Sequence, residues 1–432
     1  MSKLLLDIGA TSIKSVFQKD DALIKGSIKR TDSFSTKYGN KFSSDVIIGE
    51  FLSHVEEQYR ICPFSEIWLC TEMHNFTTLD QRKGIFSEFY SWRHVSKRTL
   101  EIREKINQEY PDFIHSTGQS LHAGMPVLNF SELIGSGNSY RMLTLSELII
   151  CKLGTLSGKI DSSMAASYGC YSPLKEEWEI DVLDKIYPDL KFDFPSVFKS
   201  KEEPLLGVIK LGGKDVQVFG GYGDMQTALL GSYLDDKAIS VNLGTGSQVA
   251  KIYKDTTNLN GSFDLKPFFG KFLAAFTHIP AGRSLEHLNK TIFKDKNFWR
   301  KLNNITPQSL EGFNKLIEFD LNIFPNNWRY NKKNLDLIKN CNLSRDDMYV
   351  ALVKVFCDQY IELINLFTAQ GPEENIIISG GRLKEILAVK NIFLKTFKNV
   401  KYPETKGVDE TLLGLNTLSI DQKNVIERRK RE

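Results

Sequence analysis

An aspartate behind a run of glycines is the first place where this chain could do chemistry. Gly220-Gly221-Tyr222-Gly223-Asp224 leads into Met225-Gln226-Thr227-Ala228-Leu229-Leu230-Gly231, which reads as a flexible turn entering a helix. Asp224 then stands at or beside the N-cap. Aspartate is a favoured cap in any protein, but here the cap is compatible with a reaction. The positive end of the helix dipole stabilises an ionised carboxylate and fixes its direction. Such a group can accept the hydrogen bond of a hydroxyl and later its proton. Phosphoryl transfer to an alcohol asks mainly for positioning and charge stabilisation, so a weak base suffices.

Two glycine turns could supply the phosphate side of that chemistry. Residues 4–17 read as a strand, a glycine turn and a second strand, continued by a strand over 22–28, and residues 239–253 repeat the plan about half a chain later. Asp7-Ile8-Gly9-Ala10-Thr11-Ser12 falls on Asn242-Leu243-Gly244-Thr245-Gly246-Ser247. Gly-Thr hairpins occur in any antiparallel protein, so it is the order, the half-chain spacing and the shared side chains that carry the reading. Glycine lets a phosphate approach the backbone, and N–H groups and hydroxyls at the turn donate to its oxygens. The turns differ at Asp7 and Asn242. One carboxylate can serve a magnesium ion or its waters, whereas a second would repel the phosphates.

Residues 375–381 read as an apolar strand ending in Ser379-Gly380-Gly381, with a helix from about Arg382. A Gly-Gly turn there admits a flat ring against the backbone, or simply supplies a positive φ. Other phosphate motifs fail. Residues 154–159 resemble a Walker loop, but the glycines stand too close and Ile160 replaces the required Ser or Thr. Gly244-x-Gly246 lacks the third glycine of a dinucleotide fingerprint, because Val249 occupies its place.

The elements that must position these groups alternate between Val/Ile/Leu-rich strands and helical stretches, so the expected class is α/β. With 432 residues, 41% of them apolar, the chain can build two domains, expected at 1–219 and 220–432. A net charge of +3 is too small for a general nucleic-acid surface. The basic end Arg428-Arg429-Lys430-Arg431 is read as a solvated terminus ahead of a localisation signal or an anion-binding tail. Six scattered cysteines form no C-x-x-C pair, so reduced, mostly buried thiols are expected in place of a zinc site or disulfide framework. Leu4-Leu5-Leu6 is too short for a signal peptide, and no apolar run approaches a span of about 20 residues. Cytoplasmic location is the expectation, with no nucleic-acid or membrane partner and a homodimer as a possible assembly.

In combination, these segments resemble the FGGY carbohydrate kinases, over residues 4–418. That likeness implies two ribonuclease-H-like lobes of the actin and hexokinase type around a central cleft. Asp7-x-Gly9-x-Thr11-Ser12-x-Lys14 resembles the family's first phosphate motif, Gly223-Asp224-x-Gln226 its catalytic segment, and Asn242-x-Gly244-Thr245-Gly246-Ser247 its second phosphate motif. Gly380-Gly381-Arg382 falls where the family contacts adenosine, and residues 410–414 resemble the helix closing the nucleotide site. The implied cofactors are ATP and Mg2+, with Asp7 on the metal side and Thr11, Ser12, Lys14, Thr245 and Ser247 on phosphate oxygens. The implied reaction is transfer of the γ-phosphoryl of MgATP to a primary hydroxyl of a ketose, with Asp224 as base.

Within the family, residues 164–171 and 266–273 are most similar to the heptulose kinases, although Ala and Phe at such spacings also pack cores. Sedoheptulose or a related heptulose is therefore the expected sugar, ahead of xylulose, ribulose or glycerol. Glu72-Met73-His74 matches the family's Met-His pair near the sugar, and Trp92 a pocket tryptophan. After Trp92 the usual acidic residue and arginine are replaced by Arg93, His94 and Lys97, which fits an acceptor bearing negative charge or a rebuilt pocket. Met73, His74, Trp92, Arg93 and Asp224 are the expected acceptor-side residues. A catalytically silent nucleotide-binding regulator, and an actin- or chaperone-like ATPase, are the readings from other classes.

Overall fold

Strands that must be covered on both faces need continuous apolar runs, and Ile67-Trp68-Leu69-Cys70 is one of them. The computed structural model describes residues 2–19, 22–30, 39–133, 139–199, 202–244, 247–256, 263–311, 313, 344–368, 375–403 and 407–429. They divide into two compact units. The first is Met1–Tyr233 with Leu265–Gly270 and Thr405–Glu432; the second is Leu234–Asp264 with Lys271–Glu404.

In the first unit, β1 (Lys3–Ile8) and β2 (Ser12–Lys19) pair antiparallel, with Asp7 opposite Lys14 and Ile8 opposite Ile13. The expected glycine turn joins them, and β3 (Ala22–Arg30) extends the meander. Helix α1 (Ser44–Ile61) crosses over to β4 (Glu66–Thr71), parallel to β1. Then follow α2 (Leu145–Leu153), β5 (Gly154–Leu156), α3 (Ser162–Ser167), β6 (Leu205–Leu211) and β7 (Lys214–Gly223). The sheet runs β5-β6-β7-β4-β1-β2-β3. Because β7 is parallel to β4 and β4 to β1, these three strands finish side by side. Helix α4 (Asp224–Gly231) begins where β7 ends. One face of the sheet packs Leu4, Leu6, Ile67 and Leu69 with Phe51, Val55 and Leu148.

The second unit repeats this plan. It holds β8 (Ala238–Asn242), β9 (Ser247–Tyr253), β10 (Lys271–Ile279), α5 (Arg345–Thr368), β11 (Asn375–Ser379), α6 (Leu387–Thr396) and β12 (Val400–Lys401). Neighbours run β10-β9-β8-β11-β12. Two antiparallel pairings are followed by two parallel ones, the same senses as in β3-β2-β1-β4-β7. The half-chain repeat in sequence is thus a repeat of topology. Arg382 corrects one expectation: it opens a short 3-10 turn, Arg382–Glu385, and the α-helix waits until Leu387 because Ile386 is extended.

Helix α7 (Glu410–Arg429) returns to the first unit, where Leu412 and Leu415 join Leu5, Trp68, Cys70 and Phe219 on the second face of its sheet. It crosses α4 with backbones nearly touching. A Cβ at Gly414 would lie 1.9 Å from the Thr227 carbonyl oxygen, and one at Gly231 would lie 1.8 Å from that of Glu410. Cys62, Cys70, Cys151, Cys170 and Cys357 are unbridged, as expected, and Cys341 lies outside the described residues. So do Lys430 and Arg431 of the basic end. Among the described residues no helix is long and apolar enough to cross a membrane.

Candidate active site

Asp7, on β1, is 2% exposed, and both its oxygens are engaged. Lys14, its partner in strand register, places Nζ 3.1 Å from Oδ2, and Thr411 at the start of α7 places its hydroxyl 2.8 Å from the same oxygen. The Cys70 thiol reaches Oδ1 at 3.4 Å. Lys14 also pairs with Asp409 at 3.0 Å, and the Thr411 hydroxyl lies 2.6 Å from Asp409 Oδ1. Burial works against the Lys14 charge, but the carboxylates of Asp7 and Asp409 outweigh it and raise the ammonium's pKa. Burial, with Asp7 and Asp224 close by, keeps the Cys70 thiol protonated.

Asp224 is the first helical residue of α4, with Gly223 as the N-cap position, so it stands beside the cap. Its Oδ1 accepts from the Met225 N–H at 2.8 Å, which points the carboxyl back along the helix start. The approach is held by Ser163 of α3, whose Oγ accepts the Gly223 N–H at 2.9 Å while its own hydroxyl donates to Asp161. A Cβ at Gly223 would lie 2.7 Å from the sulfur of Met73, so Met73 packs directly behind the turn. Burial, and then Asp7, push the Asp224 carboxyl up to about 7. The Met225 N–H and Lys14 pull the other way without prevailing. A carboxyl poised there is matched to proton transfer near neutrality.

Glu72 was not singled out as a site residue from sequence, and it stands in the middle of this group. It follows the last residue of β4, between the ends of β1 and β7, and is 8% exposed. Burial, then Asp224, push its carboxyl up to about 8, against Arg93 and a hydrogen bond with Trp92. The signal available in sequence was an acid closing a buried strand directly before Met73-His74. His74 adopts φ 59°, a left-handed conformation that costs a side-chain residue energy and that clusters at functional sites. Its Nδ1 lies 2.8 Å from the Ser167 carbonyl, which makes Nδ1 the donor. Arg93 stacks over Trp92 at 4.7 Å. His94 instead turns to Glu132 at 3.8 Å, and Lys97 is an exposed partner of Glu101.

The two heptulose-like stretches act differently from what their side chains suggest. Met164, Ala165, Ala166, Ser167 and Tyr168 are core residues, and it is the carbonyls of Ala166 and Ser167 that receive Gln119 and His74. In the other stretch, Lys266 is 2% exposed and donates to Gln119 at 2.7 Å, while the Pro267 carbonyl accepts from Gln226 at 3.4 Å.

In the first hairpin, Gly9 donates its N–H to the Ser12 carbonyl at 3.0 Å, Thr11 is exposed and Ser12 half-buried. A Cβ at Gly9 would make only ordinary contact, at 3.6 Å, so the fold itself does not demand glycine there. In the second unit, the Leu243 N–H donates to the Ser379 carbonyl at 3.0 Å. Gly380, at φ 99°, is required by close approach: its Cβ would lie 2.8 Å from Leu243 backbone and 2.9 Å from the Gly244 nitrogen. Gly381 faces open space. Ser247 is 2% exposed, and its hydroxyl donates across the hairpin to the Asn242 carbonyl. Thr245 and Gly246 lie outside the described residues.

No protein-family model matches the chain, and no curated protein does. Solved structures do match. A ligand-bound xylulose kinase from Lactobacillus acidophilus superposes with a TM-score of 0.76 at 16% identity, over 98% of this chain and 91% of that one. A gluconate kinase from the same organism gives 0.77 at 15%, over 98% and 90%. Plasmodium falciparum glycerol kinase with ADP gives 0.73 at 14%, over 97% and 90%. At these identities the likeness establishes the fold. The chain has the α/β architecture, ribonuclease-H-like and of the actin and hexokinase type, of these two-lobed kinases.

Proposed function

We propose that this protein is an ATP-dependent carbohydrate kinase that phosphorylates a primary hydroxyl of a ketose, with sedoheptulose or a related heptulose as acceptor. The observation that carries the reading is the pair of Asp7 and Asp224 at the carboxyl ends of strands in one parallel set, where ligands of open α/β sheets bind. Asp224 accepts the acceptor's hydroxyl proton as the new O–P bond forms and the bridging P–O bond to ADP breaks. The turns bearing Gly9, Thr11, Ser12 and Lys14, and Gly244 to Ser247, bind phosphate oxygens, and the open backbone at Gly381 admits the adenine ring. In this reading residues 1–219 supply the first hairpin and the sugar side, and 220–432 the catalytic aspartate, second hairpin and adenosine side.

Magnesium suits Asp7 through water. Each Asp7 oxygen already accepts a bond, and among the described residues no cluster of three or more His, Cys, Asp or Glu could cage an ion. Asp7 would hold Mg2+ through the ion's waters, and the ion would neutralise charge on the phosphates. The second reading keeps the reaction and changes the acceptor to a pentulose, an aldonate or a polyol, favoured by the likeness to xylulose, gluconate and glycerol kinases. A coupled ADP-release screen over heptuloses, pentuloses, gluconate and glycerol tests both. Release without dependence on any of these would defeat the kinase reading in favour of an ATPase, and no release would favour a silent binder.

A further inference from the structure

The chain does not reach Asp224 as a regular strand. Gly220 and Gly221 stand at φ 87° and 65°, and the register of β7 against β4 slips between Gly220 and Tyr222. Left-handed glycines are permissive, and a slipped ladder is locally disrupted. The strand alone therefore leaves the backbone loose just where the proposed base has to be placed.

Gly223 comes directly before Asp224, and both its N–H and its carbonyl have side-chain partners. The Thr227 hydroxyl donates to the carbonyl at 2.8 Å, but Thr227 sits on α4, so that bond moves with the helix. The N–H donates to Ser163 Oγ at 2.9 Å, and this bond ties the turn to a second element, α3. The Ser163 hydroxyl is oriented for the task. Asp161, the N-cap of α3, accepts the Ser163 N–H on Oδ1 at 2.8 Å and accepts the Ser163 O–H on the same oxygen. A hydroxyl has one proton and two lone pairs. With the proton given to Asp161, the lone pairs are left for Gly223.

Helix α3 is itself anchored. Met164, Ala165 and Ala166 are at most 1% exposed. At its far end the Ala166 carbonyl accepts from Gln119 at 2.9 Å, and the Ser167 carbonyl accepts from His74 at 2.8 Å. A short helix with buried side chains and both ends bonded gives Ser163 a fixed place from which to hold the turn.

We propose that Ser163, oriented by Asp161, is a positioning residue of the phosphoryl transfer, holding the Gly223 peptide so that the Asp224 carboxyl stays at the acceptor's reacting hydroxyl. This rests on the kinase reading above, because Ser163 acts through Asp224. Its loss misplaces the base and removes no contact to either substrate.

The first test does not depend on turnover. Hydrogen exchange of the Gly223 amide, followed by mass spectrometry at single-residue resolution, should be about tenfold faster in Ser163→Ala, the weight of one hydrogen bond. Ser163→Thr, which keeps the hydroxyl, should exchange as the parent does. Unchanged exchange in Ser163→Ala overturns the proposal, whether or not the protein is a kinase. The second test is ADP release with sedoheptulose, xylulose, gluconate and glycerol. Ser163→Ala should lower kcat about 10- to 100-fold, the scale of a misplaced catalytic group, with both KM values within about twofold of the parent. Ser163→Thr should recover most of that loss. In an Asp224→Asn background Ser163→Ala should cost little more, since the group it positions has already been disabled. Equal losses in both backgrounds would reveal a general structural defect and overturn the positioning role, as would a raised acceptor KM with kcat unchanged. Should Ser163→Ala fail to fold, Ser163→Cys, similar in size but a weak acceptor, replaces it in both tests. Absence of sugar-dependent release from the parent would defeat the kinase reading alone, and the Gly223 exchange would still decide whether Ser163 holds the turn.

Discussion

As the proposed base, Asp224 would have to do two things that conflict: be ionised, and sit where burial and Asp7 penalise its charge. Its folded pKa of about 7 stands above the ordinary 3.8. Between those values the unfolded chain has lost the proton and the fold still holds it, so the contribution to stability falls as pH rises and is lost above about 7. Asp224→Asn removes the charge and keeps the oxygen that Met225 uses. The variant should therefore melt higher than the parent at pH 8, with the difference closing towards pH 4. Its kcat should fall by about 10²–10⁴, the usual weight of a general base, while MgATP still binds. Near-normal sugar-dependent ADP release from the folded variant would reduce Asp224 to a helix start. Asp7 makes the neighbouring case. Asp7→Asn leaves Lys14 with Asp409 alone; if Asp7 holds magnesium through water as proposed, half-maximal turnover should need more magnesium with little change in sugar KM. An unchanged magnesium titration would leave Asp7 as the anchor of Lys14 and Thr411 only.

At the scale of elements, the placement of Asp224 and Thr411 depends on two helices that meet at glycine. Valine at Gly414 would drive its Cβ into the Thr227 carbonyl, 1.9 Å away, and backbone cannot yield as a side-chain tip can. Forced overpacking costs about 1–3 kcal/mol. Gly414→Val should lower the melting temperature by several degrees and depress kcat through both Asp224 and the Thr411–Asp7 bond. Gly49→Ala in α1, where a Cβ meets nothing within 4 Å, is the control and should melt at or above the parent. Equal melting of Gly414→Val and the parent would show that α4 and α7 do not need their close crossing. This crossing also marks where the sequence stops being readable. Both glycine hairpins and the start of α4 were legible because each is set by a few consecutive residues. The return of residues 410–429 to the first sheet was not, and neither was the Lys14–Asp409 pair, because nothing local encodes which face a distant helix covers. Glu72 escaped notice for a related reason: its neighbours Asp7 and Asp224 are brought to it by the order β7-β4-β1. For residues 164–168 the sequence left core packing open beside the family likeness: their side chains do fill the core, and the carbonyls of Ala166 and Ser167 accept from Gln119 and His74.

For the whole molecule, one topology is built twice from dissimilar residues, and the same architecture serves kinases of xylulose, gluconate and glycerol. A fold so shared does not choose the acceptor. In the proposed reading the choice falls to side chains on short segments: His74, Trp92 and Arg93, with Asp224 at the reacting end. Each polar group there would favour an acceptor whose hydroxyl it meets over an analogue lacking that hydroxyl. Longer acceptors meet more of these groups. A seven-carbon ketose should therefore be phosphorylated with higher kcat/KM than xylulose, and xylulose with higher kcat/KM than glycerol. The excess over xylulose should shrink in His74→Ala and Arg93→Ala, since the discrimination resides in contacts that the shorter sugar does not make. The measurement is ADP release with each sugar at concentrations spanning its KM, in the parent and both variants. A preference for glycerol or xylulose that both variants leave untouched would defeat the heptulose assignment and place selection on other residues. It would leave the roles proposed for Asp224 and the glycine turns untouched, because those concern the transferred group and not the length of its acceptor.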